Sequence, residues 1–239
     1  MYNKFMNVSA YTATGSNTAI ASNRLSYALG LDGPSLTVDT ACSSSLVAVN
    51  LACQAIRAGD CEIALVAGVN ALVHPSGYIE LSKAGMLSPT GRCRTFSADG
   101  YCRAEGCGAI VLTRQTVDAN GVPDTSEHPC YGMIRACAVN QDGRSAGLTA
   151  PNGLAQQAMH KRALELAGNL KPSDVSVIET HGTGTALGDP IEVSAINAVY
   201  GNDSEREIPL VLGAVKTNVG HLEAAAGMAG LIKLILSLA

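Results

Sequence analysis

The 239-residue chain contains no tryptophan, and aromatic residues make up only 4% of it. Its interior must be filled by Ala, Val, Leu and Ile, which suits closely packed layers of helix and sheet better than a loose sandwich. Charge is sparse as well: 15% of residues are Asp, Glu, Lys or Arg, and the formal net charge is −4. No cluster of lysines or arginines occurs, which argues against nucleic acid as a partner. No apolar run is long enough for membrane insertion; residues 231–239 are too few and include Lys233. The first residues, Met1-Tyr2-Asn3-Lys4-Phe5, lack the apolar core of a secretion signal. The default reading is a soluble, intracellular, cytoplasmic protein, with organelle targeting left open should sequence precede Met1.

Also missing is any C-x-x-C pair among the eight cysteines, Cys42, Cys53, Cys61, Cys93, Cys102, Cys107, Cys130 and Cys137. A structural zinc site wants ligands paired at short fixed spacing, so no metal is expected. A chain that is 47% hydrophobic can build its own core and needs no disulfide framework. Reduced thiols follow.

What is present is an alternation of helix and strand signals. Residues 18–29 read as a helix closed by Gly30, and 35–38 as a strand. Residues 43–58 form a helix with Leu46, Val49, Cys53 and Ile56 on one face, stopped at Gly59. Continuous apolar runs at 63–69 and 109–113 read as strands covered on both faces. The polar stretch 117–129 is the best boundary. Beyond it come a strand (131–139), a helix (154–167), a strand (175–179), and a helix opened by Asp189 and Pro190. Glu192 sits three residues after Asp189, a capping-box arrangement. A strand (209–215) and a helix (223–238) close the series. The pattern implies an α/β protein with largely parallel sheets, in halves 1–116 and 131–239 joined by a linker at 117–130.

Three turns carry candidate chemistry. In Asp39-Thr40-Ala41-Cys42-Ser43-Ser44-Ser45-Leu46 a strand hands over to a helix. The unpaired N–H groups and dipole of a helix N-terminus favour a thiolate at Cys42, and hence covalent catalysis. Position alone does not settle this, because most cysteines are inert core filler.

The second turn, Glu179-Thr180-His181-Gly182-Thr183-Gly184-Thr185, precedes the helix opened by Asp189. It looks like a phosphate loop, but Leu187 stands where a third Gly would be needed and no Lys-Ser/Thr pair follows. Its glycines then serve close approach of a bulky ligand arm, with the threonines hydrogen-bonding that arm. The third turn is Lys216-Thr217-Asn218-Val219-Gly220-His221-Leu222-Glu223, where Lys216 and Glu223 bracket His221. Either histidine alone is as readily a helix cap or a satisfied core residue. His74, His128 and His160 have no comparable setting and read as structural or surface groups. One Cys and two His at strand-to-helix turns imply convergence on one site. That set suits an acyl group held on sulfur beside a second carbonyl polarised by paired donors, as in carbon–carbon bond formation through an enolate.

These three blocks resemble the signature blocks of β-ketoacyl synthases, in wording closest to the ketosynthase domains of type I polyketide synthases. Asn23-Arg24-Leu25-Ser26-Tyr27 and Ala98-Asp99-Gly100-Tyr101 resemble the family too. The resemblance implies a thiolase-like fold, layered α-β-α-β-α and here incomplete at both ends, in a homodimer. It implies an acyltransferase that performs decarboxylative Claisen condensation. Cys42 would take the acyl chain from the phosphopantetheine arm of an acyl carrier protein, and no cofactor would be bound directly. His181 and His221 would hydrogen-bond the thioester oxygen of a malonyl-type extender. The Cys42 N–H would help hold the oxyanion. Lys216 and Glu223 would support the histidines, and Thr183 and Thr185 would bind the pantetheine arm.

The chain departs from the family pattern in starting late and in ending before the Gly-Phe-Gly-Gly segment. The stretch Arg94-Thr95-Phe96-Ser97-Ala98-Asp99 is short, and Thr180 stands where Ala is common. A fragment with open sheet edges is expected to be poorly stable and inactive by itself. The rivals are a thiolase or a Cys-His-Asn ketosynthase, disfavoured by His221; a cysteine hydrolase; a fatty-acid condensing enzyme; and a non-catalytic ketosynthase-like scaffold.

Overall fold

A computed structural model describes residues 8–97, 99–119, 122–126, 129–201 and 203–238. His128, Ala98 and Met1 to Phe5 lie outside these. In chain order the elements begin with helices α1 (Thr12–Ser16), α2 (Ala19–Leu29) and α3 (Ser44–Ala58). Strand β1 (Ile63–Asn70), helix α4 (Ser76–Lys83) and strand β2 (Gly106–Thr113) follow. Helix α5 (Gly153–Leu166) leads through a short 3-10 turn to β3 (Val177–Glu179) and α6 (Gly188–Tyr200). Strand β4 (Val211–Gly213), helix α7 (Lys216–Val219), a 3-10 turn at Glu223–Ala225 and α8 (Ala226–Leu238) complete the chain.

The strands make two separate pairs. β1 and β2 run antiparallel, with Ile63 opposite Thr113 and Asn70 opposite Gly106. β3 and β4 run parallel, with Val177 opposite Val211. The expectation of largely parallel sheets is therefore corrected for the first pair. β1 is also not covered on both faces. Its burial alternates, leaving Ile63, Leu65 and Val69 exposed while Val66 is buried. A continuous apolar run cannot reveal this, because its pattern has no polar face.

Residues 35–38 and 131–139 form no ladder, contrary to the strand readings. Among the described residues they have no strand partner; in the second segment the Arg135 carbonyl accepts from the Arg57 side chain at 3.3 Å instead. The second segment still contributes Ile134 and Cys137 to the core.

That core joins the two halves of the chain. Val49 of α3, Val66 of β1 and Met228 of α8 are its buried centre, with Ile110, Leu112, Leu231 and Ile232 around them. α8 comes from the far end of the sequence yet packs on α3, β1, β2 and β3. The fit is close enough to need glycine. A Cβ on Gly68 would lie 2.9 Å from the Ser45 Cβ and 3.1 Å from the Ala225 Cα. Ser45 is itself buried, and its hydroxyl accepts the Met228 N–H at 3.0 Å. That bond satisfies one of the unpaired donors at the start of α8. Leu46, read as a core position, is 46% exposed. The packed face of α3 is Ala48, Val49, Ala52 and Cys53.

Candidate active site

Cys42 lies in a turn knitted together by short polar side chains. The Ser44 hydroxyl donates to the Ala41 carbonyl at 2.6 Å and accepts the Thr40 N–H at 2.9 Å. Asp39 accepts the Ala41 N–H at 3.0 Å. Ala41 is held at φ 54, a left-handed conformation that costs a residue with a Cβ about 1–2 kcal/mol. This strained turn ends one residue before the N-cap of α3 and projects Cys42 from the sharp bend.

The second turn follows β3. Its backbone is fixed by two carboxylates of α6. Glu192 accepts the N–H groups of His181 and Gly182, the latter at 2.9 Å. Asp189 is 3% exposed and accepts the N–H of Gly184 at 3.0 Å, of Thr185 at 3.3 Å and of Phe96 at 2.7 Å. The capping-box reading of this pair is corrected: the helix starts at Gly188 after Leu187, and both carboxylates reach back to the preceding histidine turn rather than capping their own helix end. Gly184 has φ 81, and a Cβ there would sit 2.9 Å from the Arg94 carbonyl oxygen. The glycine thus admits protein backbone, where the sequence suggested a ligand arm. The Thr183 and Thr185 hydroxyls face each other at 3.2 Å, and Thr183 is buried.

The third turn follows β4. Lys216 opens α7 and is 4% exposed. His221 is stitched to the segment before β2, its N–H donating to Cys102 and its carbonyl accepting from Ala104, at 2.7 and 2.9 Å. Its Nδ1 accepts the Glu223 N–H at 2.9 Å, so the neutral ring carries its proton on Nε2. Glu223 pairs with Arg103, which stacks over Tyr78. Thr95 ties the two histidine turns together: its hydroxyl donates to the Gly182 carbonyl at 2.6 Å and accepts from Thr217 at 3.0 Å.

The three turns converge. The Cys42 sulfur and one ring nitrogen each of His181 and His221 lie within 4.8 Å of one another. The imidazoles meet edge to face, 5.6 Å between centroids, and Tyr101 packs on His221 at 5.0 Å. His181 keeps an exposed edge while its ring sits in crowded protein. Burial, then the Lys216 charge, then His221 bring its pKa down to about 3. Burial and Lys216 bring His221 down to about 4 against the opposing pull of Glu223. Burial lowers the Lys216 ammonium as well, against the favourable field of Cys42, Glu192 and Glu179. Both imidazoles are therefore neutral hydrogen-bond donors at neutral pH rather than proton reservoirs.

Two family profiles match the chain: the β-ketoacyl synthase N-terminal domain over residues 1–117, and the C-terminal domain over 131–239. The chain belongs to the β-ketoacyl synthase family. It is 51% identical over 232 residues to a phenolphthiocerol/phthiocerol polyketide synthase of Mycobacterium tuberculosis, covering 96% of this chain and 12% of that protein. It is 49% identical over 234 residues to the polyketide synthase GfsB of Streptomyces halstedii, covering 97% of this chain and 4% of that protein. Among solved structures, the oxazolomycin ketosynthase domain OzmH KS7 of Streptomyces albus superimposes with a TM-score of 0.85 at 44% identity. The module 6 ketosynthase of the Bacillus subtilis bacillaene synthase does so with 0.86 at 41%. Each match covers 93% of this chain and about two fifths of the solved one (38% and 40%). The chain has the thiolase-like α/β fold of these domains, and the relatives named are polyketide synthases of which it spans only a small part.

Several groups in this candidate site escape sequence reasoning. Glu192 was legible only as a cap, and Asp189 only as a helix start. Thr95, Tyr101 and Arg103 lie far from the histidines in sequence, and no spacing rule links them. Of the remaining histidines, His74 is exposed and pairs with Ser76, while His160 stands edge-on to Tyr200. Among the described residues no helix is long and apolar enough to cross a membrane.

Proposed function

We propose that this chain supplies the reacting groups for decarboxylative Claisen condensation on carrier-bound thioesters in polyketide biosynthesis. The observation that carries the reading is the meeting of one thiol and two neutral imidazoles within 4.8 Å. The Cys42 sulfur attacks the thioester carbon of an acyl chain on the phosphopantetheine arm of an acyl carrier protein, and the pantetheine thiol leaves with a proton. A malonyl-type extender on a second carrier then places its thioester oxygen between His181 and His221. Its bond to the carboxyl carbon breaks, carbon dioxide departs, and the electron pair passes into an enolate. The His221 Nε2–H donates to the enolate oxygen, and a ring N–H of His181 does the same. The enolate carbon attacks the Cys42 thioester, the Cys42 N–H supports the oxyanion, and collapse of the tetrahedral intermediate expels the thiolate as a β-keto product forms.

Lys216 acts at a distance in this scheme. Its charge keeps both imidazoles neutral, and it offers the nearby Cys42 sulfur an opposite charge. Thr183 and Thr185 retain hydroxyl lone pairs for the pantetheine arm. We assign the nucleophile to a first half (1–116) and both histidines to a second (131–239), joined by a linker at 117–130. Carrier proteins are the working partners, and the protein acts as a soluble, intracellular homodimer.

The test is acyl loading followed by mass spectrometry. A domain carrying this chain is incubated with an acyl-pantetheine donor, and the acyl mass is expected on Cys42 alone. Cys42→Ala should lose the label yet still release carbon dioxide from malonyl carrier, because both imidazoles remain. A label on another cysteine, or decarboxylation lost together with loading, would overturn the assignment.

A further inference from the structure

We propose that Glu179 and Lys233 act as one positioning pair: Lys233 of α8 orients the Glu179 carboxylate, and that carboxylate fixes the start of the turn that carries Lys216 and His221 relative to the strand that leads into His181. The inference rests on the condensation reading for what the pair serves, since it is that reading which gives the two imidazoles their work.

Glu179 ends β3, two residues before His181, and its side chain is only 6% exposed. Its Oε1 accepts the Val215 N–H, and its Oε2 accepts from the Lys233 ammonium at 2.6 Å. Val215 stands immediately before Lys216, and its carbonyl accepts the Asn218 N–H at 2.9 Å within α7. One carboxylate thus ties β3, the entry to α7, and α8. The slot it occupies is made by glycines. Gly213 lies opposite Glu179 across β3 and β4, and a Cβ there would sit 2.6 Å from Oε2 and 2.8 Å from the Lys233 Nζ. A Cβ on Gly230 of α8 would sit 3.1 Å from the Glu179 Cγ. A carboxylate so buried needs a partner, yet a buried ion pair adds little net stability over apolar groups of the same size. Its contribution here is a fixed geometry.

The consequence is electrostatic. Lys216 faces Cys42 from the turn before α3, Cys93 from the segment before β2, Glu192 from α6 and Glu179 from β3. His221 meets Tyr101 and Glu223 as well. The Lys216 charge depresses both imidazoles. Without the brace, the Val215–Lys216 backbone shifts, that charge no longer bears on the rings, and they take up protons more readily. Loss of the Glu179 charge alone works with the opposite sign, because a nearby carboxylate favours the imidazolium. Position and charge are therefore separable.

Histidine titrations followed by NMR, in a histidine-labelled domain carrying this chain, test the pair without recourse to activity. Signals are assigned by their loss in His181→Gln and His221→Gln. Glu179→Met keeps the volume but removes the acceptor, and the His221 midpoint should rise by about one pH unit, a tenfold gain in proton affinity. Glu179→Gln keeps an oxygen for the Val215 N–H and should leave the midpoint at the wild-type value or below. Lys233→Met frees the carboxylate and should raise the midpoint too, which keeps the test open should Glu179→Met fail to fold. The double variant should rise no further than Glu179→Met, as expected of two residues acting through one contact. The pair is overturned if Glu179→Met or Lys233→Met gives no rise, if Glu179→Gln rises as far as Glu179→Met, or if the two rises add. Titrations as expected in a domain that releases no carbon dioxide from malonyl carrier would support the pair and sink the condensation reading alone.

Discussion

The backbone N–H of Glu223 donates to Nδ1 of His221 at 2.9 Å, although Glu223 itself sits at the left-handed φ of 47. Its side chain meanwhile pairs with Arg103. The Arg103 pair holds the unusual backbone in place, and the backbone in turn fixes the tautomer. A proton added to His221 would put two N–H donors face to face, so protonation is opposed by geometry as well as by burial and Lys216.

A pH profile follows from this. The two histidine pKa values fall from the ordinary 6.5 to about 4 for His221 and about 3 for His181. Malonyl-carrier decarboxylation should hold steady as pH falls from 7 to 5 and decline only toward 4. The unfolded chain binds more protons than the folded one from about 6.5 down to about 3, the lower of the two values, so stability should fall on acidification through that window. Lys216→Met removes a charge that depresses both rings, and the acid limb should then move to higher pH. A wild-type limb centred at 6.5, or one that Lys216→Met leaves in place, contradicts the account.

Asp189→Ala should cost about 3 kcal/mol or more of unfolding free energy, since three backbone N–H donors lose their acceptor at about 1–3 kcal/mol each when buried. Asp189→Asn keeps one oxygen acceptor and should cost less. The urea midpoint measures both; equal midpoints for Asp189→Ala and wild type would remove the carboxylate from its anchoring role.

Gly68→Ala tests the contact between β1 and α3. The new Cβ meets the Ser45 side chain and the Ala225 backbone, and overpacking of this kind costs about 1–3 kcal/mol. Because Ser45 is three residues from Cys42, acyl loading should slow along with the drop in melting temperature. Gly147→Ala, with open space around the position, is the control and should stay within about 0.5 kcal/mol of wild type.

The helices were largely legible. Residues 18–29, 43–58 and 154–167 are matched within one residue by α2, α3 and α5, because each combines apolar spacing with a stop such as Gly59. The strands were less so. β1 and β2 were found, but their antiparallel pairing and one-sided burial depend on which element lies beside them. The 131–139 segment has strand composition and no ladder partner, and composition alone cannot supply one. The short helices α1, α4 and α7 carry too few residues for a helical period to register.

The sequence by itself determined the chemistry available: a cysteine at a sharp polar turn, two histidines in glycine-bearing turns, and a charge balance that left little for nucleic acid to bind. These are local properties, written in neighbouring residues. Only the tertiary structure decided that Cys42, His181 and His221 meet, that Asp189 and Glu192 brace a loop instead of capping a helix, and that Thr95 spans two turns. The bracing contacts of Asp189 and Glu192 are short in range but depend on how the turn folds back over the start of its helix. The bonds of Thr95 span 87 and 122 positions, and Cys42 lies farther still from either histidine; packing over such separations leaves no periodic trace in the chain.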